Sequence, residues 1–181
     1  MFETAPTNAP RRELRFGILL EHIVTAITLV ALTVALRQTL PLSQIFLWKV
    51  VTAVLVGGAV TLSFSLRCLP TSTLGAANHV TLARAGLVAL LIGFIGETYV
   101  GWTPFIVAAA VLVLDGVDGW LARKLEVCSD FGARFDMETD AFSLLAIACL
   151  VWQNDKAGPW VLLAGLMRYA FVAVIKAVPE F

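Results

Sequence analysis

Four aspartates stand at spacings that suit cation chemistry. Asp115 and Asp118 are three residues apart, and Asp136 and Asp140 are four apart. On a helix each spacing stacks two side chains on one face, a turn apart. Two neighbouring helices carrying these pairs can aim four carboxylates at one spot. Such a cluster repels itself, and divalent cations are the simplest remedy. All-oxygen ligands favour Mg²⁺, Mn²⁺ or Ca²⁺ over zinc or copper. Gly116, Gly119 and Ala122 keep the neighbouring backbone bare, and Arg123 offers a forked guanidinium suited to phosphate oxygens. Together these residues point to a diphosphate held by a two-metal clamp.

The elements that position these residues are hydrophobic. Residues 114–140 hold seven of the thirteen acidic residues, yet "PFIVAAAVLVL" leads into the stretch and "AFSLLAIACLVW" follows it. The chain has 181 residues, 59% hydrophobic and 14% charged, with a mean hydropathy of +0.87. Soluble domains carry roughly 25% charged residues, so this composition belongs in a membrane. Six stretches approach the roughly 20 residues needed to cross a bilayer, near 17–36, 46–66, 79–98, 104–121, 135–152 and 157–176. The expected fold is an all-α, polytopic transmembrane helical bundle of about six spans. The first run is too long for a signal peptide and no small-residue cleavage site follows it. With the N-terminus in the cytoplasm, Arg11, Arg12, Arg15, Arg67, Arg123, Lys124, Arg134 and Lys176 fall on the cytoplasmic side. Arg37, Lys49 and Lys156 fall on the other. The expected location is therefore a multi-pass membrane protein, in the inner membrane if bacterial, with the aspartates at the cytoplasmic face. A net charge of zero excludes a nucleic-acid partner. Cys68, Cys128 and Cys149 are widely spaced and read as inert thiols rather than zinc ligands.

Written as D-x2-D-G-x2-A-R-x8-G-x3-D-x3-D, one pattern runs without a gap through Asp115, Asp118, Gly119, Ala122, Arg123, Gly132, Asp136 and Asp140. It resembles the signature of the CDP-alcohol phosphotransferase family, membrane enzymes of phospholipid synthesis. Upstream, "NHVTLAR", with Asn78, Thr81 and Arg84, resembles that family's N-x-x-T-L-x-R at the start of its first core helix. The resemblance covers 76–176. It leaves a cytoplasmic tail at 1–16, two additional membrane helices at 17–66 and a short C-terminal end at 177–181. It implies that Asp115, Asp118 and Asp136 hold two divalent cations, Mg²⁺ or Mn²⁺. Asp140 would ligate one of them and act as general base. Gly119, Ala122, Arg123, Ser129 and Gly132 would line the CDP site, with Asn78 and Thr81 closing it from the neighbouring helix. The implied partners are a CDP-linked lipid donor, an alcohol acceptor and membrane lipids, and the implied assembly is a homodimer. Two departures qualify the resemblance. Only two helices follow the motif where the family core has more, so acceptor-side residues of later helices are expected to be missing. "FDMETDAF" also lacks the "DPxADK" wording of glycerophosphate- or cardiolipin-forming members.

Outside the motif, Arg168 lies roughly 12 Å from the cytoplasmic end of the last span, so it is expected to face the bundle and meet a phosphate or carboxylate. Arg84, nearer the interface, can equally snorkel. Glu21 and His22 read as interfacial, and Glu126, Asp130 and Glu138 as solvated. Trp48, Trp102, Trp152 and Trp160 mark an outer aromatic belt, and Trp120 the inner boundary. A cation transporter could also gather intramembrane aspartates. Transporters bind near the midplane, however, and need no Gly119, Ala122 or Arg123 at these spacings. A member with only a structural role is the third reading.

Overall fold

The computed structural model describes residues 11–68, 74–98, 101–124 and 130–177, with side chains for all of these but 11–15, 122–123, 130, 172–173 and 175–177. The elements are α1 (Arg11–Thr39), α2 (Gln44–Cys68), α3 (Ala76–Phe94), α4 (Thr103–Lys124), α5 (Asp130–Gln153), a single 3₁₀ turn at Pro159–Val161 and α6 (Leu162–Ala177). No strand occurs among the described residues. The described residues form an all-α transmembrane bundle of six helices. Four of them, α1 to α4, are long and apolar enough to cross a membrane throughout. In α5 the motif's acids dilute the apolar character of the first half, and α6 is described over 16 residues.

Local chemistry sets the breaks. Pro41 cannot continue α1, and α2 starts behind Ser43, whose Oγ accepts the Phe46 N–H at 3.2 Å as an N-cap. The third helix stops at Phe94, short of the expected 98, because Gly96 takes φ +85° in the turn that follows. The first helix begins at Arg11, inside the expected tail, since nothing in Arg11–Phe16 breaks a helix. After α5 the chain turns through Asp155 at φ 55°, and Pro159 opens the next turn.

The third helix is the axis of the bundle. It touches α1, α2, α4 and α5. Of its membrane window 56% is buried, against 22%, 11% and 17% for α1, α2 and α4. Phe46 and Val50 of α2, Leu90, Leu91 and Phe94 of α3, Val111 of α4 and Leu150 of α5 form the main core. A second cluster of Ile18, Leu74, Leu82, Phe131 and Phe135 packs α1 and α5 against the start of α3. Among the described residues the sixth helix leans only on α5 and the 3₁₀ turn. There Gly165 sits so close that a Cβ would lie 2.6 Å from the Leu145 Cα.

The end of the bundle away from the aspartates is tied by Glu97. Its carboxylate accepts the Ser43 N–H at 2.9 Å and the Ser43 hydroxyl at 2.7 Å, and lies 3.4 Å from Lys49 Nζ. The Glu97 carbonyl accepts Gln153 Nε2 at 3.0 Å, and Gln153 Oε1 accepts the Gly96 N–H at 2.5 Å. The start of α2 and the ends of α3 and α5 meet there. Burial pushes the Glu97 carboxyl up, but the Ser43 bonds and the Lys49 charge outweigh it and hold the group below its ordinary value of 4.5.

Candidate metal centre

Three helices build the site. The fourth brings Asp115 and Asp118, the fifth brings Asp136 and Asp140, and the third lies between them with Arg84 and Thr81. Arg84 has no exposed surface, and its guanidinium reaches all four aspartates. Nη1 bonds Asp115 and lies 3.1 Å from Asp118 Oδ2. Nη2 bonds Asp136 and lies 3.0 Å from Asp140 Oδ1. Of the alternatives open for Arg84, the structure excludes snorkelling to the interface. A cation with four acids around it gains more from them than from the interface. Nε–H alone finds no partner among the described residues.

The carboxylates differ in depth. Asp118 is 3% exposed, whereas Asp115, Asp136 and Asp140 are 47%, 40% and 45% exposed. Asp118 is thus the buried foot of the cluster and the other three form its rim. Thr81 steadies the foot, with its hydroxyl 3.1 Å from Asp118 Oδ2 and 3.2 Å from the Ala77 carbonyl. One oxygen each from Asp115, Asp118 and Asp136 lies within 4.8 Å of the others. Hard oxygen donors this close fit a divalent cation of the Mg²⁺, Mn²⁺ or Ca²⁺ kind. Arg84 engages Oδ1 of Asp115, Asp136 and Asp140 and both oxygens of Asp118, so a cation would share these carboxylates with the guanidinium.

The remaining predicted residues surround this centre unevenly. Asn78 is half-buried in the first turn of α3, with Nδ2 donating to the Leu74 carbonyl at 2.7 Å. Gly119 follows Asp118 on α4, and Gly132 stands one turn before Asp136 on α5. A Cβ on Gly116 would meet nothing within 4 Å, so the backbone there borders open space and not a neighbouring helix. Ala122 and Arg123 lie on the last turn of α4 with side chains outside those described, and Ser129 lies outside the described residues altogether. Arg168 of α6 pairs with the Glu138 carboxylate at 2.6 Å, so Glu138 is an ion-pair partner rather than merely a solvated acid. A groove of about 390 Å³ between α5 and α6 joins Arg168 to Asp140 past Leu144, Met167 and Phe171.

Arg84 was read from the sequence as part of the upstream motif, but its place at the centre of the carboxylates was not. Its signal was present: a permanent charge in an apolar helix, at the depth of four opposite charges.

The model of the CDP-alcohol phosphatidyltransferase family matches residues 74–179, more than half the chain. The chain belongs to that family. The match contains α3 to α6 and every residue of the carboxylate cluster, and α1 and α2 precede it. Neither a curated protein nor a solved structure gave a match. Membership makes the chain a membrane transferase of the phosphatidyl kind that uses CDP-alcohols, and the aspartate triad could hold the divalent cation such enzymes use.

Proposed function

We propose that the protein transfers a phosphatidyl (or phospho-alcohol) group from a CDP-linked donor such as CDP-diacylglycerol to an alcohol, releasing CMP at the cytoplasmic face of the membrane. The observation that carries this reading is the convergence of two carboxylate pairs from α4 and α5 on one buried arginine, open on the rim side. Asp115, Asp118 and Asp136, with Asp140, would hold two divalent cations, Mg²⁺ or Mn²⁺. Bound there, the metals supply charge neutralisation to the diphosphate and the departing CMP.

The protein's own residues do the rest. Gly119, Ala122, Arg123, Ser129 and Gly132 border the CDP from the motif side, and Asn78 and Thr81 from α3. Asp140, on the rim and 45% exposed, takes the proton of the acceptor hydroxyl. The hydroxyl oxygen bonds to the lipid-side phosphorus, the diphosphate P–O bond breaks, and CMP leaves with the electron pair. The groove that joins Asp140 to Arg168 supports an acceptor path between α5 and α6, with Arg168 available to an anionic acceptor that displaces Glu138. The cytoplasmic side follows from the Lys and Arg asymmetry.

The test is CMP release by the purified protein from CDP-diacylglycerol, with Mn²⁺ or Mg²⁺ and a panel of alcohols. CMP should appear only when metal and one class of alcohol are both present. No CMP with any alcohol, or the same CMP in EDTA, would overturn the proposal.

A further inference from the structure

The first helix lies outside the family-matched region, yet it reaches the first residues of that region. Glu21 of α1 accepts the Leu74 N–H through Oε2 at 3.0 Å, and its Oε1 lies 3.3 Å from His79 Nε2. Leu74 and His79 bracket the first turn of α3. Inside that bracket, the Leu74 carbonyl accepts Asn78 Nδ2, and the Gly75 carbonyl accepts the His79 N–H at 3.0 Å. Thr81, whose hydroxyl reaches Asp118, stands two residues further on.

The turn needs an outside hold. Gly75, at φ 82°, provides no side-chain cap for α3. Uncapped N–H groups at a helix start favour a carboxylate beside them. Glu21 brings one from another helix, bonded to the Leu74 N–H just before the Gly75 cap position. The contact also has an apolar base, because Leu74 is 3% exposed and packs with Ile18, three residues before Glu21, and with Leu82, Phe131 and Phe135. An acid serving only the membrane interface would face water, but the Glu21 side chain is 19% exposed.

We infer that Glu21 is a positioning residue for the donor site: it clasps the first turn of α3 so that Asn78 and Thr81 present a fixed edge to the nucleotide. The first helix is then a working part of the site, although it precedes the family core. This inference rests on the proposed contact of Asn78 and Thr81 with CDP.

The experiment uses the full chain in nanodiscs and compares the parent with Glu21→Ala, Glu21→Gln and Asn78→Ala. Steady-state KM for CDP-diacylglycerol, kcat and amide exchange over 74–80 are measured on each. Glu21→Ala should raise the donor KM by about tenfold, the loss expected of one hydrogen bond to a charged group, with kcat held within about twofold. Exchange at 74–79 should accelerate. Glu21→Gln keeps a carbonyl oxygen for the Leu74 N–H and should recover most of the KM. An unchanged donor KM in Glu21→Ala overturns the clasp, as does a fall in kcat and thermal stability without a KM change. If Glu21→Ala does not fold, Glu21→Asp, one methylene shorter, takes its place under the same criteria. Asn78→Ala separates the two claims. An unchanged KM there removes Asn78 from the nucleotide edge, and the Glu21 KM still decides the clasp through Thr81.

Discussion

Arg84 touches four aspartates and no solvent, so its charge cannot be removed without exposing what it offsets. In Arg84→Met the shape is roughly kept, but Asp118, 3% exposed, loses its only close cation among the described side chains. Breaking a buried pair in this way costs about 3–5 kcal/mol. The metal-free variant should therefore melt well below the parent, and Mn²⁺ should raise its midpoint by more than it raises the parent's. A scanning-fluorimetry series with and without Mn²⁺ checks this, and an equal Mn²⁺ gain in both proteins would contradict it. Asp140 sits at the opposite extreme, on the rim. Asparagine there keeps one ligating oxygen but cannot take a proton. General-base catalysis is worth about 10²- to 10⁴-fold, so Asp140→Asn should lose CMP release by at least that lower factor at saturating Mn²⁺. Asp118→Asn should mainly raise the Mn²⁺ needed for half activity. If saturating Mn²⁺ restores Asp140→Asn to near parental turnover, Asp140 is a ligand and not the base.

Among the elements, α3 decides the site's shape, and its part was the hardest to read. Spacing alone made the two aspartate pairs legible, because i to i+3 and i to i+4 positions share a helix face whatever surrounds them. Length and hydropathy likewise make six helices legible. What periodicity lacks is the identity of the neighbour. A pattern on α3 shows which face is buried but not that α4 and α5 bury it, so Arg84 was free to turn to the interface and Glu21 to sit as an interfacial acid. Helix ends were readable to a few residues where Pro or Gly acts, as at Pro41 and Gly96, and not at Arg11, where no breaker stands. The helix ends also carry a pH dependence. Glu97, held below its ordinary 4.5 by Ser43 and Lys49 despite burial, is ionised in the fold at pH values where it would protonate unfolded. Its stabilisation is fully present above that ordinary value and is lost as pH falls through the lower folded value. The thermal midpoint should drop on acidification below about pH 4.5, and Glu97→Gln should flatten that drop. Parallel slopes for the two proteins would contradict the assignment.

For the whole molecule, the two ends of the bundle have opposite tasks. The Glu97 end joins helices and buries the Glu97 carboxylate in hydrogen bonds. The aspartate end gathers acids around one arginine and leaves three of them partly open. With its carboxylates ionised, four acids against one guanidinium leave three negative charges, a centre that repels a diphosphate. Two divalent cations reverse the sign and make the same centre attractive to it. Metal must then precede nucleotide. The direct measurement is calorimetric titration of CDP into the full-length protein in nanodiscs, once with saturating Mn²⁺ and once in EDTA. The predicted result is a clear binding isotherm with Mn²⁺, none in EDTA, and none in Asp136→Ala under either condition. CDP binding of equal affinity in EDTA would contradict a metal centre at Asp115, Asp118 and Asp136.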